Sequence, residues 1–110
     1  MTRRAEPDPI AAAVGARIRE LRQEAGLTIE ALAIESGFGA KPYLSDVELG
    51  KIQPSLTKLD LLAEHLGVEL YDLLVFPEDG ERDQLLDLTR AMNGSQIKRL
   101  LKAAKEIAAQ

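Results

Sequence analysis

The chain has no cysteine and no tryptophan, one histidine, and only two tyrosines and two phenylalanines in 110 residues. Without cysteine there are no disulfides, no thiolate metal sites and no cysteine nucleophile. His65, alone and beside an apolar stripe, is expected at a surface or boundary, so no metal and no cofactor is expected. The scarcity of aromatics leaves Leu, Ile, Val and Ala to build the core, which favours helices over sheets. No apolar run approaches a membrane span, and the first ten residues lack the apolar region of a signal peptide. The expectation is a soluble cytoplasmic protein with no membrane partner. No phosphate-binding glycine loop or nucleophile elbow is present, so an enzyme is not expected.

What is there fits a small globular protein: 45% hydrophobic and 29% charged residues bound one compact core with room for an appended element. The net charge of −4 argues against a general nucleic-acid binder, but it is unevenly placed. Residues 1–57 carry seven basic and eight acidic side chains, and residues 58–110 seven and ten. Whether DNA is a partner therefore depends on local faces.

The periodicity predicts a run of helices. Asp8-Pro9 is a helix start, an N-capping acid followed by a first-turn proline. Ile10, Ala13, Val14, Ala16, Ile18 and Leu21 then recur at helical spacing up to Gly26. Thr28 caps a second helix that ends at Ser36-Gly37, and Pro42 opens a third, with Leu44 and Val47 inward and Gly50 as its stop. Ser55 caps a fourth, with Leu56, Leu59, Leu62, Ala63 and Leu66 inward. Val68 to Val75 reads as a short fifth helix, apolar at Leu70, Leu73 and Leu74. After Pro77-Glu-Asp-Gly80 the spacing predicts helices over 83–92 and 95–108. Their apolar stripes are Leu85, Leu88 and Met92 on one, and Ile97, Leu100, Leu101, Ala104 and Ile107 on the other. Two short helices cannot bury both stripes on each other alone, so they need the first domain or a second copy of themselves. The acidic cluster from Glu78 to Asp87 suits a helix N-terminus. The basic residues Lys98, Arg99, Lys102 and Lys105 are expected to pair with it, or with its counterpart in a second copy.

Ala25-Gly-Leu-Thr28 with Ala31-Leu-Ala33, then Tyr43-Leu-Ser-Asp-Val-Glu-Leu-Gly-Lys51, Pro54-Ser-Leu56 and Leu62-Ala-Glu-His-Leu-Gly-Val68 resemble the phage repressor/Cro/Xre helix-turn-helix family. The resemblance covers about residues 10–75. It implies an all-α chain, with a five-helix lambda-repressor-like helix-turn-helix domain over 9–76. Around it stand a flexible arm over 1–8, a linker over 77–82 and a two-helix dimerisation extension over 83–110. It further implies a regulator, most simply a repressor, that binds a palindromic double-stranded DNA operator as a homodimer, with no small-molecule ligand evident.

A recognition helix must pack one face on its own domain and present a short polar face outward. Residues 41–49 meet that requirement, with Lys41, Ser45, Asp46 and Leu49 outward. The forward positions Lys41, Pro42, Ser45 and Asp46 are the expected base-reading residues, and Tyr43 suits a phosphate oxygen or a thymine methyl. By place in the family motif, Thr28, Lys51, Gln53 and Ser55 are expected at phosphates, and Arg3 and Arg4 in an adjacent groove. The resemblance also pairs Glu48 with Arg22 as a structural ion pair. Three departures stand out: a turn from Gly37 to Pro42 one residue longer than usual, an acid at Asp46, and Ile29 where the family often has a polar residue. The alternatives are an antitoxin or restriction-modification controller of the same fold, and an interaction module that has kept the fold and lost DNA.

Overall fold

In a computed structural model, residues 8–39 and 41–110 are described, and every regular element among them is helical. The order is α1 (Pro9–Glu24), α2 (Ile29–Glu35), α3 (Lys41–Glu48), α4 (Leu56–Leu66), 3-10 turns at Leu70–Leu74 and Pro77–Asp79, α5 (Glu81–Thr89) and α6 (Gly94–Ala108). The chain divides after Phe76 into two units.

The first unit is organised by caps and by one apolar core. Asp8 Oδ1 accepts the Ile10 and Ala11 amides at 3.0 and 3.3 Å, satisfying donors that the first turn of α1 leaves open. Thr28 Oγ1 accepts the Ala31 amide at 3.0 Å, and Ser55 Oγ the Lys58 amide at 3.2 Å, so the same device starts α2 and α4. Inside, α1 contributes Val14, Ile18 and Leu21, α2 Leu32 and Ala33, and α3 Leu44 and Val47. Helix α4 adds Leu59, Leu62, Ala63 and Leu66, and the turn after it adds Leu73. Helices of seven and eight residues are too short to persist in isolation. Burial of Leu32, Leu44 and Val47 is what holds α2 and α3 in place.

Two glycines bring α1 close to the end of α3. A Cβ on Gly15 would collide with the Val47 and Glu48 carbonyl groups. Gly50, at φ +78°, adopts the left-handed conformation that glycine tolerates. A Cβ there would stand 2.6 Å from the Ala12 Cα. From the sequence Gly50 is expected only as a helix stop, and the close approach at Gly15 carries no local signal.

Several sequence expectations for the core are corrected. Leu56 is exposed, because it is the first residue of α4, a turn ahead of the buried stripe; the loop residue Ile52 joins the core instead. Ile10 and Leu74 are exposed too, as is Ala16, whereas Ala11, Gly15 and Arg17 are the buried companions of Val14 and Ile18 on α1. The expected fifth helix is a 3-10 turn. The Asp72 carbonyl receives the Val75 amide at 3.3 Å and the buried Arg17 Nε at 3.0 Å, so the turn closes over three residues rather than four.

In the second unit, α5 begins at Glu81, earlier than residue 83, with Glu81 and Asp83 in its first turn, where acids suit the helix dipole. It ends at Thr89 rather than Met92. Successive bonds from the Arg90, Ala91 and Met92 amides to carbonyls three residues back tighten the chain out of the helix. A capping box starts α6: Asn93 Oδ1 accepts the Gln96 amide and Gln96 Oε1 the Asn93 amide, each at 2.9 Å. No residue from Pro77 onward is buried. Leu85, Leu86, Leu88, Ile97, Leu101 and Ile107 are all exposed.

Candidate nucleic-acid interface

Between α2 and α3 the chain runs through Ser36-Gly37-Phe38-Gly39, with φ of +74° at Gly37 and +76° at Gly39. These left-handed residues let the elongated turn reverse direction without Cβ strain. They deliver Lys41 as the first residue of α3, with Pro42 beside it in the turn where a missing amide proton costs nothing. The buried Leu44 and Val47 fix the rotation of α3 about its axis. Lys41, Pro42 and Leu49 are then exposed, and Ser45 and Asp46 half-buried.

One ion pair ties α3 to α1. Arg22 Nε donates to Glu48 Oε2 at 2.7 Å and Nη2 to Oε1 at 3.0 Å, while Nη1 donates to the Leu27 carbonyl at 2.9 Å. The two side chains are 12% and 6% exposed. The hydrogen bonds to Glu48 outweigh the cost of burial and raise the Arg22 pKa above the ordinary guanidinium value.

A second pair joins α2 to α3: Lys41 Nζ lies 3.2 Å from Glu30 Oε1, with both side chains more than half exposed. The Glu30 carboxyl is held below the usual carboxylate range, first by its own backbone amide and then by Lys41.

The expected site residues fall into separate groups. Thr28, Lys41 and Ser45 line one shallow groove beside α3, together with Arg19, Glu30 and Leu49. Tyr43 and Ser55 line another, with Phe38 and Lys58. Tyr43 is half-buried; its ring centre is 5.4 Å from that of Phe38, and the Lys58 ammonium stands 5.0 Å over it. Gln53 belongs to a third, largely apolar cleft beside Ile10 and Pro54. Lys51 is half-buried in the loop, its amide donating to the Asp46 carbonyl at 2.9 Å. Arg3 and Arg4 lie outside the described residues. The Ser55 hydroxyl accepts a capping bond, which leaves its proton able to donate to a phosphate oxygen, whereas the Thr28 hydroxyl accepts the Ala31 amide and donates to the Glu30 carboxylate.

Sequence reasoning missed Arg19, Glu30 and Lys58. Arg19 stands three residues before Arg22, and Lys58 three residues after the Ser55 cap, so spacing held both signals. Glu30 gave none, because its partner lies across the turn. Among the described residues no cluster of His, Asp and Glu has the arrangement of a metal site, and no helix is long and apolar enough to cross a membrane.

The half-buried first helix, the α2–turn–α3 unit and the closing α4 define a helix-turn-helix domain, with α3 in the recognition position. A family model described as a helix-turn-helix domain matches residues 13–74, and the chain belongs to that family, of the Xre type. Over 58 residues, 53% of its length, it is 47% identical to the HTH-type transcriptional regulator DdrOP3 of Deinococcus deserti. It spans only 44% of that relative's length. Among solved structures it is similar to the restriction-modification controller protein C.AhdI of Aeromonas hydrophila, with a TM-score of 0.57 and 36% identity. That match covers 60% of this chain and 98% of the controller. It is also similar to SinR, the master regulator for biofilm formation, solved in complex with DNA. There the TM-score is 0.51 and the identity 35%, over 56% of this chain and 97% of that one.

Proposed function

We propose that this protein is a sequence-specific double-stranded DNA-binding transcription regulator, most simply a homodimeric repressor. In this reading α3 enters the major groove. The observation that carries it is the presentation of α3: its apolar side is sealed into the core by Leu44 and Val47, while Lys41, Pro42, Ser45 and Asp46 occupy its open forward end. The likeness to SinR, a regulator solved with DNA, supports the same reading. Thr28, Ser55, Lys51 and Gln53 are the phosphate-side residues, with Lys58 added beside Tyr43. Arg3 and Arg4 act from the arm.

Dimerisation falls to the second unit; residues 77–80 precede α5, whose first turn takes up Glu81 and Arg82 of the expected linker. Leu85, Leu88, Ile97, Leu101 and Ile107 are exposed on short helices that bury nothing, a surface that a second copy would cover. Two-fold symmetry then sets the half-sites about 34 Å, one helical turn, apart. Selection from random duplex DNA tests the whole reading: one enriched palindrome supports it, and no enrichment at low salt overturns it.

A second reading, restriction-modification control, is favoured by the match to nearly the whole of C.AhdI. It predicts that the enriched palindrome lies upstream of the regulator's own gene beside a methyltransferase gene.

A further inference from the structure

A carboxylate on a face that meets a polyanion is unfavourable unless it has a task there. Glu30 sits on that face, in the groove it shares with Thr28, Lys41 and Ser45. Its carboxylate bridges α2 to the first residue of the recognition helix through the Lys41 ammonium at 3.2 Å. We propose that Glu30 is an internal competitor of the DNA phosphate for Lys41. The ammonium is held by Glu30 when DNA is absent and passes to a phosphate oxygen when DNA binds, so Glu30 sets the affinity and salt response of the interface. This inference rests on the DNA-binding reading of α3 and assigns a regulator of that same face.

The two ion pairs of this region differ in the property that matters. Arg22 gives three nitrogens to Glu48 and Leu27 and is almost wholly shielded. Breaking that pair would strand a largely shielded charge, so Arg22 does not readily exchange partners. The Glu30–Lys41 pair is 53% and 58% exposed. Pairs of this kind are weak and water-accessible, so a second anion can displace the first without disturbing packing. Lys41 is the first residue of α3, and its ammonium stands on a flexible four-carbon stem. The Glu30 contact therefore presets where the ammonium stands before DNA arrives.

The exchange has a distinctive thermodynamic mark. A lysine that meets a phosphate normally releases about 0.9 of a counterion per contact. If Lys41 leaves Glu30 to do so, the freed carboxylate attracts a cation back, and the net release from this contact is close to zero. Removing the Glu30 charge restores the release. A pair that only positions α3 predicts the opposite sign, since its loss would loosen the helix and weaken binding.

The experiment is fluorescence anisotropy on a labelled mixed-sequence duplex, across about 50 to 200 mM salt. It compares wild type, Glu30→Gln, Lys41→Ala and the double variant, with thermal melts establishing that all four are folded. Glu30→Gln should bind roughly two- to five-fold tighter at the low-salt end, as suits an exposed pair. Its log–log salt slope should be steeper by about 0.9. Lys41→Ala should bind more weakly with a slope like wild type, and Glu30→Gln should gain little in its background. An unchanged or weakened Glu30→Gln overturns the proposal. So does an equal gain with Lys41 removed, which would mean simple repulsion between Glu30 and DNA. A wild type that binds no duplex removes the DNA reading and this inference together, whereas a wild type that binds as well as Glu30→Gln removes only the inference.

Discussion

Arg22 and Glu48 form a two-point contact, Nε to Oε2 at 2.7 Å and Nη2 to Oε1 at 3.0 Å, that fastens the end of the recognition helix to α1. The planar fork of arginine matches a carboxylate in this geometry, and lysine would not reproduce it. The remaining nitrogen, Nη1, holds the Leu27 carbonyl just before the Thr28 cap. One guanidinium thus indexes the start of α2 and the end of α3 to the same point on α1. Replacing Glu48 with Ala should cost about 3 kcal/mol, because it leaves a shielded guanidinium without its counter-ion. Urea unfolding measures it, and Arg22→Lys should recover only part of the loss. Unchanged midpoints for both would show that the pair contributes nothing to stability.

Gly15→Ala should destabilise the first unit by about 1–3 kcal/mol, the usual cost of overpacking. The added methyl meets the rigid carbonyls of Val47 and Glu48 rather than a flexible side chain. Gly94→Ala makes a control, since no atom lies near a Cβ there and the exchange removes a helical glycine. It should leave the melting temperature unchanged or raise it.

Leu101→Glu places a charge on an exposed apolar position of α6. On the proposed homodimer it should give a monomer by light scattering and leave the melting of the first unit unchanged. Operator affinity should fall strongly, since each half-site would then bind alone. A dimer that survives Leu101→Glu together with Leu88→Glu would place the self-association surface elsewhere.

The pH response of Glu30 has a definite sign. Its folded pKa is lowered, so its contribution is present above the ordinary carboxylate range and disappears as the pH falls through the folded value. In an NMR titration the Glu30 carboxyl should titrate below a model glutamate. Lys41→Ala should move it only part of the way back, because its own backbone amide is the larger cause. A full return to the model value would assign the whole shift to Lys41.

The helix starts were legible because capping is local chemistry. Asp8, Thr28 and Ser55 each satisfy an amide two or three residues ahead, and such bonds need no tertiary partner. The burial of Leu44 and Val47 was legible from spacing alone, and the family motif pointed to Arg22 with Glu48. Less readable were contacts made across the turn. Tyr43, expected at DNA, also packs against Phe38 under the Lys58 ammonium, in a cluster drawn from the turn, α3 and α4. Lys41 was expected as a cation for DNA, and Glu30, eleven positions earlier, neutralises it. Arg17 would be solvent-exposed on charge alone, but it is buried because the Asp72 carbonyl accepts from it.

By itself, the sequence determined the helices, their caps, most of the core and the helix-turn-helix order, because those follow from periodicity and from bonds between near neighbours. Only the tertiary structure decided which charges remain available on the recognition face. That depends on where α1, α2 and α3 come to rest against one another. Gly15 and Gly50 set how closely α1 and α3 approach, and the turn through Gly37 and Gly39 sets how far Lys41 stands from Glu30. Pairs three residues apart on one helix, such as Arg17 with Glu20 and Asp87 with Arg90, follow from spacing, but the distance between Glu30 and Lys41 is fixed only by how their two helices meet.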